Sequence, residues 1–164
     1  MEPTEEDKIS SSMLILDRGK AAKAFESALR MEVEGHDFYR SLASASDGGN
    51  LRAVFTMLAE EERSHFERID TLFETLLFDE HDRFHQAFMG DYKDTGIFPD
   101  LGQSPDIAGL DEKTIIEAAI EIENRTIRFF AERIDEEFHP EIIDVFNALM
   151  KEELMHIKKL EQML

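Results

Sequence analysis

Two stretches of this chain, EEERSHFER at residues 60–68 and KEELMHIKK at residues 151–159, share one spacing. Each has two adjacent glutamates and then a histidine three residues after the second: Glu61, Glu62 and His65 in one, Glu152, Glu153 and His156 in the other. On a helix a step of three places the second glutamate and the histidine on the same side. A carboxylate and an imidazole presented together are ligands for a divalent cation.

The similarity extends beyond the motif. A shift of 91 residues lays 53–69 on 144–160 without a gap, so that Val54, Phe55, Leu58, both glutamates and His65 meet identical residues. The same shift lays 28–39 on 119–130, where Ala28 meets Ala119, Glu32 meets Glu123 and Phe38 meets Phe129. Glu32 precedes Glu62 by 30 residues, and Glu123 precedes Glu153 by the same 30. The chain reads as two copies of one helical hairpin.

Leu58, Phe66 and Ile69 flank the first Glu–His pair, and Leu149, Ile157 and Leu160 flank the second, so these acids fall on or beside an apolar stripe. Glu32 has Ala28, Leu29 and Tyr39 as same-face neighbours, and Glu123 has Ala119, Ile120, Ile127 and Phe130. Four carboxylates in a helical interior each cost several kcal/mol if unpaired. No lysine or arginine is expected on those faces at regular spacing. Two divalent cations would balance the four charges, and carboxylate with imidazole but no thiolate suits iron or manganese.

Four segments have the periodicity needed to position these residues. They run from about Lys20 to Ser44, Asn50 to Phe78, just after Asp111 to Glu136, and Pro140 to Gln162. Asp111 is a suitable N-cap, and Pro140 suits a first helical turn. SDGGN at 46–50 ends the first segment. Residues 79–111 link the two hairpins and contain HDRFHQAF, read as a short helix, followed by a Gly-, Pro- and Asp-containing loop. Short link, long crossover and short link define an all-α four-helix bundle over residues 21–164, after an acidic lead at 1–20 read as partly disordered.

The chain has 164 residues and a net charge of −19, which disfavours nucleic acid and anionic membranes as partners. It contains no cysteine, which excludes disulfides, zinc–thiolate and iron–sulfur centres within it. No stretch has the length of a membrane span, and the acidic start lacks the layout of a signal peptide, so a cytoplasmic location is expected.

The paired motifs, each with a glutamate 30 residues upstream, resemble those of the rubrerythrin and ferritin-like di-iron carboxylate proteins. The resemblance covers about residues 21–164 and implies a ferritin-like bundle holding two Fe ions per chain, with Mn or Zn as substitutes. It implies Glu32 and His65 as terminal ligands of one metal, Glu123 and His156 of the other, and Glu62 and Glu153 as bridges. Some rubrerythrins carry a further glutamate three residues after the third-helix ligand. Here that residue is Thr126, which makes the set more symmetric and closer to bacterioferritin. Rubrerythrins with a rubredoxin module carry four more cysteines, absent from these residues, so an external electron donor such as a rubredoxin or a reductase is expected. The fifth helix of bacterioferritin-type chains is not expected, which disfavours a large storage cage. A homodimer is expected.

The implied activity is oxidation of diferrous iron by hydrogen peroxide or dioxygen, of peroxide-scavenging or ferroxidase type. The alternatives are an iron- or manganese-binding or iron-handling protein without catalysis, and a structural bundle with an inert metal. Tyr39, seven residues after Glu32, is a candidate hydrogen-bond donor to a ligand carboxylate; its repeat partner is Phe130. His36, one turn after Glu32, is expected to be a packed core histidine rather than a site residue. His81 and His85, beside Asp79, Glu80 and Asp82, are expected on a solvated helix, with a surface metal site as the alternative. Glu61 and Glu152 are expected to be exposed or to support the ligands from outside.

Overall fold

The computed structural model describes residues 17–46, 48–88, 109–136 and 139–164. The acidic lead up to residue 16 and crossover residues 89–108 lie outside the described residues. Among the described residues five helices follow one another: α1 Arg18–Ala45, α2 Gly49–Leu76, α3 Phe78–Phe88, α4 Glu112–Glu136 and α5 Pro140–Glu161. No strand occurs among the described residues. The all-α expectation and the four long helices are therefore found, with the short helix where HDRFHQAF placed it.

Local chemistry sets the boundaries. Asp17 caps α1 by accepting from the Lys20 N–H at 3.1 Å, so the helix starts two residues before its expected start at Lys20. At the other end the Ser46 N–H reaches the Leu42 and Ala43 carbonyls, and the Arg52 side chain reaches the Ala43 and Ser46 carbonyls from α2. Gly48 and Gly49 have φ of 103° and 73°, values that residues with a Cβ rarely adopt, so the reversal between α1 and α2 rests on both glycines. Asp111 caps α4 as expected, accepting from the Thr114 N–H at 3.0 Å and the Thr114 hydroxyl at 2.7 Å. Pro140 stands in the first turn of α5.

The second helix stops at Leu76, short of the expected Phe78. Leu77 leaves the helical region at φ −139°, ψ 60°, and its side chain is fully buried. Burying Leu77 turns the chain, and α3 then packs back along α2.

Helix α1 packs chiefly on α2, and α4 on α5; α2 also meets α5, and α1 meets α4. These are two hairpins face to face, as the 91-residue repeat requires. Phe25 and Phe73 stack at 4.9 Å, and the edges of Phe25 and Phe130 close on Phe146 at 6.4 and 5.2 Å. This aromatic plug joins both hairpins on one side of the acidic layer. On the other, Tyr39 lies over Phe55 at 6.0 Å.

Candidate metal centre

Each long helix buries acid in its apolar face. Glu32 comes from α1, Glu62 and His65 from α2, Glu123 from α4, and Glu153 and His156 from α5. All six are 3% exposed or less, which removes the solvated-surface reading for every one of them. Their ligand atoms form two four-residue groups, each with all its atoms within 4.8 Å of one another. One is Glu32, Glu62, His65 and Glu153; the other is Glu62, Glu123, Glu153 and His156. Glu62 and Glu153 belong to both.

The two imidazoles lie nearly parallel, 5.7 Å apart with 10° between their planes. Each turns Nδ1 inward. His65 Nδ1 lies 3.1 Å from Glu153 Oε1, 3.5 Å from Glu32 Oε2 and 3.6 Å from Glu62 Oε2. His156 Nδ1 lies 2.8 Å from Glu153 Oε2, 3.5 Å from Glu123 Oε1 and 3.9 Å from Glu62 Oε1. These approaches are close, yet neither Nδ1 finds a partner with hydrogen-bond geometry among the described residues, and neither do the carboxylate oxygens of Glu32 and Glu153. Buried polar atoms are seldom left in this way. Six converging side chains, four of them with inward atoms that lack a hydrogen-bond partner, are a donor set suited to cations.

The electrostatics agree. Burial holds the Glu32 carboxyl well above the usual carboxylate range, and the Glu62 charge adds to the effect. Burial pushes Glu123 up to about 8, with the Glu153 charge adding to it. Burial works against both imidazolium ions, but the carboxylates prevail. Glu153, Glu32 and Glu62 raise His65, while Glu123 and Glu153 raise His156 to about 11. A cluster without metal therefore retains protons that a bound cation would displace.

The outer nitrogens explain the first glutamate of each motif. His65 Nε2 hydrogen-bonds Glu152 Oε2 at 2.8 Å, and His156 Nε2 lies 2.6 Å from Glu61 Oε2 at an angle off the hydrogen-bond direction. Each motif thus serves the histidine of the other. Donating Nε2–H to a carboxylate leaves Nδ1 as the lone pair facing inward. Arg68 Nη1 holds Glu152 at 2.7 and 2.8 Å, and Lys159 Nζ holds Glu61 at 3.2 Å. Glu152 feels partial burial, which raises its carboxyl, but Arg68 and His65 bring it below the ordinary range.

Arg68 and Lys159 correct the expectation that no basic residue accompanies the acids at regular spacing. Each follows its histidine by three residues, and they coincide under the 91-residue shift. They escaped notice because both neutralise the outer glutamates, not the four inner ones. Both lie inside the overlay of 53–69 on 144–160.

Tyr39 donates its hydroxyl hydrogen to Glu123 Oε1. Burial holds that hydroxyl well above its ordinary pKa, with the Glu123 and Glu62 charges adding, so it remains a donor. The repeat-equivalent Phe130 is fully buried and offers no donor. Thr126 is buried beside Glu123 on α4. His36 departs from expectation. Its side chain is 21% exposed rather than fully packed, with Nδ1 at 3.2 Å from Asp37 Oδ1.

Among curated proteins, none matches this sequence. The family model for Rubrerythrin matches residues 23–164, a span that contains all six inner residues. A duplicated hairpin, a buried Glu/His layer and that match agree, and the chain belongs to the rubrerythrin family.

Proposed function

We propose that this chain is a di-iron oxidoreductase that oxidises diferrous iron with hydrogen peroxide or dioxygen. The observation that supports it is the pair of Glu/His groups sharing Glu62 and Glu153, with inward atoms that lack hydrogen-bond partners. In this reading Glu32 and His65 would hold one metal, Glu123 and His156 the other, and Glu62 and Glu153 would be shared between them. The chemistry such a pair supplies is two electrons to one peroxide, which with two protons yields two waters.

The chain's own residues do the rest. Glu152 holds the His65 ring by its Nε2, and Glu61 stands against His156 Nε2, so that each ring turns Nδ1 inward. Tyr39 orients Glu123 and holds a proton at its hydroxyl, beside the acidic layer. The aromatic plug of Phe25, Phe73, Phe130 and Phe146 excludes water from one side.

The 164 residues hold no cysteine and therefore no thiolate-bound relay iron. Electrons for a second cycle would come from a separate rubredoxin or reductase, and the working form would be a homodimer in the cytoplasm. Among the described residues no helix is long and apolar enough to cross a membrane. The same centre would serve as a ferroxidase if ferrous ion were itself the substrate.

The test is a stopped-flow peroxide titration of anaerobically iron-loaded protein. About one peroxide should be consumed per metal pair, after which reaction stops until a donor is added. Sustained consumption with neither donor nor fresh ferrous ion would overturn the reading in favour of disproportionation.

A further inference from the structure

Beyond the acidic layer, one other set of side chains brings metal-ligating atoms together among the described residues: Asp70, His81 and His85. Asp70 lies on α2, about 7.5 Å along the helix axis past His65, and the two histidines lie one turn apart on α3. His81 Nε2 and His85 Nε2 approach the same oxygen, Asp70 Oδ1, at 2.9 and 2.6 Å. The two rings are 4.3 Å apart.

The carboxylate here is not one of those beside the histidines in sequence. Glu80 is taken by Arg18, which grips both its oxygens at 2.9 and 2.8 Å, and Asp82 accepts from Gln86 at 2.9 Å. Asp70 comes from another helix and meets the histidines only because the chain turns at Leu77.

The three groups are held in place. Phe73 lies perpendicular to the His81 ring at 5.3 Å, and Phe84 stands at 88° to His85 at 5.9 Å. Arg30 covers Phe84 at 5.6 Å, and the Arg18–Glu80 pair ties α3 to α1. The cluster is also accessible, with the His81, Asp70 and His85 side chains 12%, 24% and 41% exposed. An ion can reach it without opening the bundle.

We propose that Asp70, His81 and His85 form a separate mononuclear site for a divalent transition metal of the zinc class, fastening α3 to α2. Two imidazoles and one carboxylate satisfy three positions of a zinc ion and leave the remainder to water. Zinc is favoured over magnesium or calcium because two of the three donors are nitrogen.

The test is equilibrium dialysis of the full chain against zinc, compared with a His81→Gln/His85→Gln variant. The wild type should bind one more zinc per chain than the variant, whatever number the acidic layer retains. Hydrogen exchange across residues 78–88 should slow with zinc in the wild type only. Equal stoichiometry, or equal exchange in both proteins, would overturn the site. Should the double variant misfold, Asp70→Asn keeps the side chain's shape but removes the anionic ligand, and the extra zinc should be lost at a concentration that saturates the wild type. Unchanged binding in that variant would equally overturn the proposal.

Discussion

The Tyr39 hydroxyl on α1 hydrogen-bonds the Glu123 carboxylate on α4, joining the two halves of the molecule across 84 residues of sequence. The repeat places Phe130 where a second such tyrosine would stand, and both Glu32 oxygens lack a hydrogen-bond partner. The centre is therefore symmetric in its six inner residues and asymmetric in its support.

Tyr39→Phe removes the donor and leaves Glu123 like Glu32. The metal-free protein should lose about 1–3 kcal/mol, the usual cost of leaving one buried polar group without its partner. Urea unfolding measures the loss. Stability equal to wild type would mean that the contact contributes nothing.

Glu62 and Glu153 each belong to both groups, whereas Glu32 and Glu123 each belong to one. Wild-type protein loaded with iron without oxygen should hold about two ions per chain, by the charge balance of four carboxylates. Glu62→Ala or Glu153→Ala should depress occupancy at both positions, while Glu32→Ala should spare the Glu123 side. Elemental analysis decides; full occupancy in both Glu62→Ala and Glu153→Ala would end the bridging assignment.

The proton-retaining cluster sets the direction of the pH response. Glu123 has its pKa raised from 4.5 to about 8, and His156 from 6.5 to about 11, so the folded state holds more protons than the unfolded chain above pH 4.5. Stability of the metal-free protein should then fall as pH rises through the Glu123 window, from 4.5 to about 8, and fall further as His156 loses its proton toward 11. Metal displaces these protons, so its stabilising effect should grow over the same range. At about 1,000 times its dissociation constant a bound ion adds about 4 kcal/mol. Thermal melts with and without manganous ion from pH 5 to 9 test both slopes; metal-free stability that rises with pH contradicts the electrostatic picture.

Glu152→Gln and Glu61→Gln keep the size of the outer groups and remove their charge. Each should weaken metal binding by about 10–100-fold through the opposite motif's histidine. The metal-free fold should persist, because Glu61 and Glu152 are only half-buried. Competition titration with a chelator reads the affinity. Wild-type affinity in both variants would show the outer glutamates to be bystanders.

The helices and the six inner residues were legible because both signals are local or periodic. Caps at Asp111 and Pro140 mark ends within one turn, and a repeat of acids on apolar faces marks burial. What escaped depends on which helices become neighbours. The pairing of Glu152 with His65 requires α5 to lie beside α2, and no spacing within either motif states that. Asp70 meets His81 and His85 only after Leu77 buries itself and reverses the chain, so the histidines were weighed with the wrong carboxylates. His36 and its repeat partner Ile127 are both only partly buried, so the repeat carries no core position there.

The crossed service between motifs has a consequence for inheritance. After an ancestral hairpin is duplicated, its copies ordinarily drift apart independently. Here a change at position 61 is felt at 156 and a change at 152 is felt at 65, each in the opposite copy. Correlated substitutions in descendants should therefore include pairs that join the two halves, 61 with 156 and 65 with 152, beside those within each hairpin.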